Sequence, residues 1–120
     1  MVQLDLSLQT KSELNQREHW ATKARRVKMQ RGVTTMALRQ YGHVLDELRT
    51  APRVRVLLVR MSPRKLDDDN LRGALKAVRD AVAAWVGIDD GSERYEWCYD
   101  QRKGALGVQI FIGLPENVNA

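Results

Sequence analysis

Apolar and polar residues alternate from Val2 to Leu8, with Val2, Leu4, Leu6 and Leu8 on one side. A period of two predicts a half-buried strand. Ser12 or Asn15 is placed to cap a following helix over roughly Glu13 to Gln30, with Trp20, Ala24 and Val27 as its apolar stripe. Gly32 and the β-branched run Val33-Thr34-Thr35 predict a break or kink, and a second helical piece from about Thr35 to Leu48. Thr50-Ala51-Pro52 should end that piece, because the residue before a proline avoids the helical region.

Arg53 to Met61 is the clearest strand, rich in Val and Leu. Ser62 to Lys65 reads as a loop. Leu71, Ala74, Leu75, Val78, Val82 and Trp85 then recur at three- and four-residue steps, the mark of an amphipathic helix. Gly87 is suited to end it in a left-handed conformation, and Ile88 to Gly91 forms a tight acidic loop. Arg94 to Tyr99 alternates again, with Tyr95, Trp97 and Tyr99 on one face and Cys98 on the other. Arg102-Lys103-Gly104 reads as a hairpin turn, and Val108, Ile110, Ile112 and Leu114 line a last strand paired antiparallel with its predecessor. The tail from Pro115 to Ala120 is expected to fray.

The order β-α-(α)-β-α-β-β predicts a mixed α/β (α+β) fold. It is a mixed sheet of about four strands packed by two to three helices. The 120 residues suffice for one domain. A strand lies within 1–12, a basic helical region within 13–50, and the sheet with an acidic helix within 53–114. Trp20, Trp85 and Trp97 each fall on an apolar stripe and are expected in the core. No apolar run approaches the roughly twenty residues of a membrane span, and the first ten residues lack the pattern of a secretory signal. The single cysteine, Cys98, excludes an intrachain disulfide and a cysteine-based zinc site, and it fits a reducing cytoplasm. His19 and His43 are isolated.

Charge changes the picture more than composition does. Residues 1–66 hold 14 Lys/Arg against 5 Asp/Glu, while residues 67–120 hold 6 against 10. A basic surface draws polyanions by counterion release. An acidic cluster repels the same polyanion unless a cation lies between them. Leu66-Asp67-Asp68-Asp69-Asn70 opens the acidic helix, and Asp89-Asp90-Gly91 follows its far end. Carboxylates suit magnesium or manganese, which supply an activated water and charge stabilisation for phosphodiester hydrolysis. In an extended segment the i, i+2 spacing of Asp67 and Asp69 points both to one side. The plainer reading is a helix cap, with acids favoured by the helix dipole and Asp-Gly as an ordinary turn. The two acidic clusters sit at opposite ends of one helix. They meet only if Ile88–Gly91 turns back or if a second subunit supplies one of them.

Arg17, Lys23, Arg25, Arg26, Lys28 and Arg31 wrap the first helix, and Arg64-Lys65 directly precede the Asp run. Read as nucleic-acid contacts, Arg64, Lys65, Arg72, Arg17, Lys23, Arg26 and Lys28 meet phosphates. Read plainly, they are a solvated face with snorkelling side chains. Lys76 is either the i, i+4 partner of Asp80 or a cation that stabilises a charged transition state.

These residues carry a family resemblance. Asp67-x-Asp69-Asn70-Leu71, Lys76, Asp80-Ala81-Val82 and Gly87-Ile88-Asp89-Asp90 resemble the RusA pattern of Asp-x-Asp-Asn, a lysine, Asp-Ala-Leu and a terminal Asp-Asp. The resemblance covers residues 60 to 91, with a fainter echo at Asn15 to Trp20. It implies a dimeric, magnesium-dependent endodeoxyribonuclease, typically phage-derived, that cuts Holliday junctions in the cytoplasm of a bacterial or phage-infected cell. It needs no membrane and no small-molecule cofactor. Asp67, Asp69 and Asp90 would be the catalytic, metal-holding aspartates, with magnesium replaceable by manganese. The spacing from Asn70 to Asp80 is one helical turn longer than in the family motif. The family lysine therefore falls on Gly73 when counted from Asn70, and on Lys76 when counted back from Asp80.

Overall fold

A computed structural model describes residues 1–11 and 19–119. The caps expected at Ser12 or Asn15, the helix start at Glu13 and the contact expected of Arg17 lie outside the described residues. Four strands form one mixed sheet: β1 (Val2–Leu6), β2 (Val54–Met61), β3 (Tyr95–Arg102) and β4 (Gly107–Gly113), in the order β1-β4-β2-β3. β4 runs antiparallel to both β1 and β2, and β3 runs parallel to β2. The helices are α1 (Trp20–Leu38), α2 (Leu45–Thr50), α3 (Asp68–Ala74) and α4 (Lys76–Val86), with a 3-10 segment at Arg39–Val44. The mixed α+β fold read from the sequence is the fold observed.

The expected β3–β4 hairpin does not form, because β2 lies between those strands. The reason is in β2 itself. Val54, Val56, Leu57, Leu58 and Val59 are all buried, so both faces of this strand need cover and both edges need partners. β3 carries Glu96, Asp100 and Arg102, which belong at a solvated edge. The chain instead crosses the end of β2 at Ser62. Its N–H donates to Arg102 O (3.2 Å), and its carbonyl accepts from Gly104 N (3.3 Å).

The helix-covered face packs Leu4, Val56, Leu58, Ile110 and Ile112 against Leu38, Leu75, Val78, Val82 and Val86. Trp85 and Trp97 pack half-buried against this core. The opposite face gathers Leu57, Val59, Cys98, Phe111 and Val118. Burial pushes the Cys98 thiol up. Among the described residues of the tail, Pro115 and Val118 are held in place rather than frayed. Val118 is buried, and Arg55 Nη1 donates to Pro115 O (3.0 Å) and Val118 O (2.8 Å).

α1 departs from its expected stripe. It runs unbroken through Gly32 and Val33-Thr34-Thr35, and its buried residues are Arg26, Gln30, Thr34 and Leu38. Gln30 donates to Gln9 O (2.8 Å) and Thr34 to Gln30 O (2.7 Å), so inward polar groups are satisfied. Trp20 is 76% exposed and is not core. The acidic helix is likewise two helices, interrupted at the buried Leu75 (φ −101, ψ 4). Gly87 ends α4 at φ 86, a left-handed conformation that favours glycine, as expected. Arg49 Nε donates to Val86 O (2.7 Å) there, filling a carbonyl the helix leaves open.

Tyr95 anchors the start of β3 by donating its hydroxyl to Ile88 O (3.0 Å). Burial pushes the phenol up to about 12. Arg94 opposes that shift, and Asp90 and Asp89 add to it. The folded chain therefore keeps a proton that the unfolded chain loses from about pH 10 upward. Tyr95 adds stability in full below that value, and the contribution disappears as pH rises through 12. Chemical denaturation across pH 7–12 should show Tyr95→Phe less stable by about 1 kcal/mol at neutral pH, with a flatter alkaline fall than the parent. Parallel curves would remove Tyr95 as the titrating group.

Candidate functional site

The Asp run sits just past the C-terminal end of β2. Gln101 near the end of β3 clamps Leu66 from both sides: Leu66 N donates to Gln101 Oε1 (2.9 Å), and Gln101 Nε2 donates to Leu66 O (2.6 Å). Asp67 is extended (φ −70, ψ 169) and its Oδ1 accepts from Asn70 N (3.0 Å), so it caps α3. Asp68 and Asp69 already belong to the first helical turn. The extended segment expected across Asp67–Asp69 is therefore one residue long, and an i, i+2 pair entering a helix does not share a face. All three carboxylates are exposed.

The second acidic segment turns back over α4. Arg79 holds Asp90 by both ends, with Nε to Oδ2 at 3.2 Å and Nη2 to the carbonyl oxygen at 3.1 Å. Trp97 Nε1 donates to the same carbonyl (2.9 Å), and the guanidinium lies 4.5 Å over the Trp97 ring. Arg79 Nη1 also donates to the Tyr99 hydroxyl (2.8 Å). Burial alone would lower the guanidinium's pKa, but Tyr99 and Asp90 outweigh it and the net shift is upward. From α3, Arg72 lies 5.5 Å over the Tyr99 ring. Asp68, Leu71, Arg72, Trp97 and Tyr99 line a cleft of about 210 Å³. Asp68 and Asp90 are thus joined along one flank of β3 by Arg72, Tyr99, Arg79 and Trp97.

Lys76 stands apart from this chain. It is 71% exposed and reaches Asp80 Oδ2 at 3.4 Å, an oxygen shared with Arg31 Nη2 at 2.8 Å. Such a solvated pair contributes little. Lys76, Gly73 and Lys23 line the groove between α1 and α4, on neither side of the Tyr99 cleft. Arg64, Lys65, Arg72, Lys23 and Lys28 are exposed, as phosphate contacts require. Arg26 is not: it is turned into the buried stripe of α1.

The oxygen donors of Asp67, Asp69 and Asp90 suit magnesium in kind. As placed, Asp67 Oδ1 caps α3 and Asp90 Oδ2 is held by Arg79, so metal binding would have to take the place of both contacts. Among the described residues no three His, Cys, Asp or Glu side chains gather as a metal ion requires. Sequence reasoning passed over Arg79. Its signal was an arginine one step from the Val78–Val82 seam, where a cation needs a partner. No protein-family model, curated protein or solved structure matches the chain.

Arg79→Met should release the Ile88–Gly91 loop while leaving the β2–β4 core intact. Both partners are partly solvated, so we expect a loss of about 1–2 kcal/mol. Amide exchange at Asp89–Gly91 should quicken more than in β2. Uniform quickening would show that Arg79 supports the whole fold and not this loop.

Proposed function

We propose that the chain is a RusA-like, magnesium-dependent endodeoxyribonuclease acting as a homodimer on branched DNA such as a Holliday junction. One observation carries the reading. Ile88–Gly91 folds back over α4, so the acidic segments at the two ends of one helical unit lie along a single flank. Arg64 and Lys65 stand exposed immediately before the Asp run, where a phosphate backbone would approach. The proposal assigns magnesium, or manganese in its stead, to Asp67, Asp69 and Asp90. It requires Asp90 to give up Arg79. A two-fold enzyme suits a junction because it presents one site to each of two strands.

A second reading is favoured by the contacts of Asp67 and Asp90: a non-catalytic DNA-binding or regulatory protein in which one acid caps α3 and the other neutralises Arg79. Cleavage of a synthetic four-way junction with and without magnesium separates the two. Under the nuclease reading, Asp69→Asn lowers cleavage by about a thousandfold or more, with folding and junction binding in EDTA unchanged within a few-fold. The parent sediments as a dimer at micromolar concentration. Activity of Asp69→Asn near that of the parent removes Asp69 from the site, and a fully active monomer removes the dimer.

Phosphate contacts also set the salt dependence. For duplex arms, log K falls by about 0.9 per neutralised phosphate for each decade of salt. Replacing both Arg64 and Lys65 by Ala should make that slope shallower by up to about 1.8 and weaken binding alike across DNA sequences. An unchanged slope would place both side chains off the backbone.

A further inference from the structure

Arg60 is the sixth-to-last residue before the Asp run's Leu66 and lies on the helix-covered side of β2, at 6% exposure. Its partners are neutral oxygens. Nε donates to Thr10 Oγ1 (2.9 Å), Nη1 to Arg64 O (2.7 Å) and Nη2 to Thr10 O (3.5 Å). These satisfy hydrogen bonds without balancing the charge. Arg55 and Arg79, also partly buried, have Glu96 and Asp90. Among the described residues Arg60 has no carboxylate partner. A buried cation without a counter-charge is costly, and burial draws its pKa down accordingly.

Beside it lies a cavity of about 420 Å³ whose walls include Thr10, Lys11, Arg60, Ser62, Arg64 and Leu66. Three cationic residues thus border one hollow at the C-terminal end of β2, one residue from Asp67. A guanidinium offers a planar fork of donors that matches tetrahedral oxyanions, and one N–H on each terminal nitrogen is left over by the contacts above. Three positive charges suit a phosphate better than a single carboxylate. We propose that the Lys11–Arg60–Arg64 hollow is a phosphate-binding site, and that it takes a backbone phosphate of DNA beside the Asp run. The DNA assignment rests on the function proposed above, while the anion site itself does not.

Two measurements on the full chain test this. The first is thermal unfolding in inorganic phosphate against chloride at matched ionic strength, for the parent, Arg60→Gln and Lys11→Ala. Phosphate should raise the parent's Tm more than that of either variant. Equal shifts in all three would mark a general salt effect and overturn the site. The second is junction binding in EDTA. Arg60→Gln should bind about tenfold more weakly than the parent, a loss of about 1.4 kcal/mol, and inorganic phosphate should compete with DNA for the parent. Parental DNA affinity in both variants would overturn the DNA assignment while leaving the nuclease reading intact. A phosphate-specific Tm shift in a parent that binds no DNA would sink the nuclease reading and keep the site for a smaller phosphate. If Arg60→Gln fails to fold, the half-exposed Lys11→Ala carries both measurements by the same criteria.

Discussion

Burial of β2 on both faces is the constraint from which the architecture follows. A strand with Val and Leu on both sides cannot stand at an edge. It takes β4 on one side and β3 on the other, and it needs a layer above and below. α3 and α4, the crossover to β3, help supply one layer together with α1. The residues after β4 supply part of the other through Val118 and the carbonyls that Arg55 holds. Because β3 is parallel to β2, the intervening chain leaves at one end of the sheet and re-enters at the other. That topology puts Asp67 at the exit and Asp90 at the re-entry. Arg79, reaching sideways from α4, brings the second acid back along β3.

Much of this was legible in the residues. The strands announced themselves by alternation or by β-branched runs, and Gly87 by its position after the last apolar step. What failed had common causes. The Arg102-Lys103-Gly104 turn looked local, but the pairing was decided by the double-sided burial of a strand forty residues earlier. In α1 two of the three expected stripe residues, Trp20 and Ala24, are exposed, while Gln30 and Thr34 find partners inside and need no apolar surroundings. A pattern of hydrophobicity cannot register a polar group whose hydrogen bonds are met by another segment. The break at Leu75 was hidden for the opposite reason: its apolar period continues across it.

The candidate site was legible as a list of residues and not as an arrangement. Spacing singled out Asp67, Asp69 and Asp90, of which Asp67 caps the helical unit, Asp69 lies in its first turn and Asp90 follows its end. It could not foresee the arginine that stands between them. Arg79 neutralises the second acidic segment at Asp90 and reaches toward the first only through Tyr99, over which Arg72 lies. It also sets Asp90 in competition with any cation, since whatever binds Asp90 must displace a guanidinium held by four contacts from Asp90, Trp97 and Tyr99 taken together. Asp80 plays the same part on the other side of α4, where Arg31 and Lys76 share one oxygen.

The strand order has a further consequence for how the chain can assemble as it is synthesised. β1 is made first, yet its neighbour in the sheet is β4, the last strand in the sequence. β2, at the middle of the chain, likewise waits for β3 and β4 before either edge is paired. No two strands can zip together until residues beyond Tyr95 have left the ribosome, and two of the three pairings require Gly107–Gly113. Such long-range pairing is closed late and slowly. Until then the apolar face of β1 and both faces of β2 are open to any other chain within reach, which makes the interval of synthesis the period of greatest exposure to aggregation.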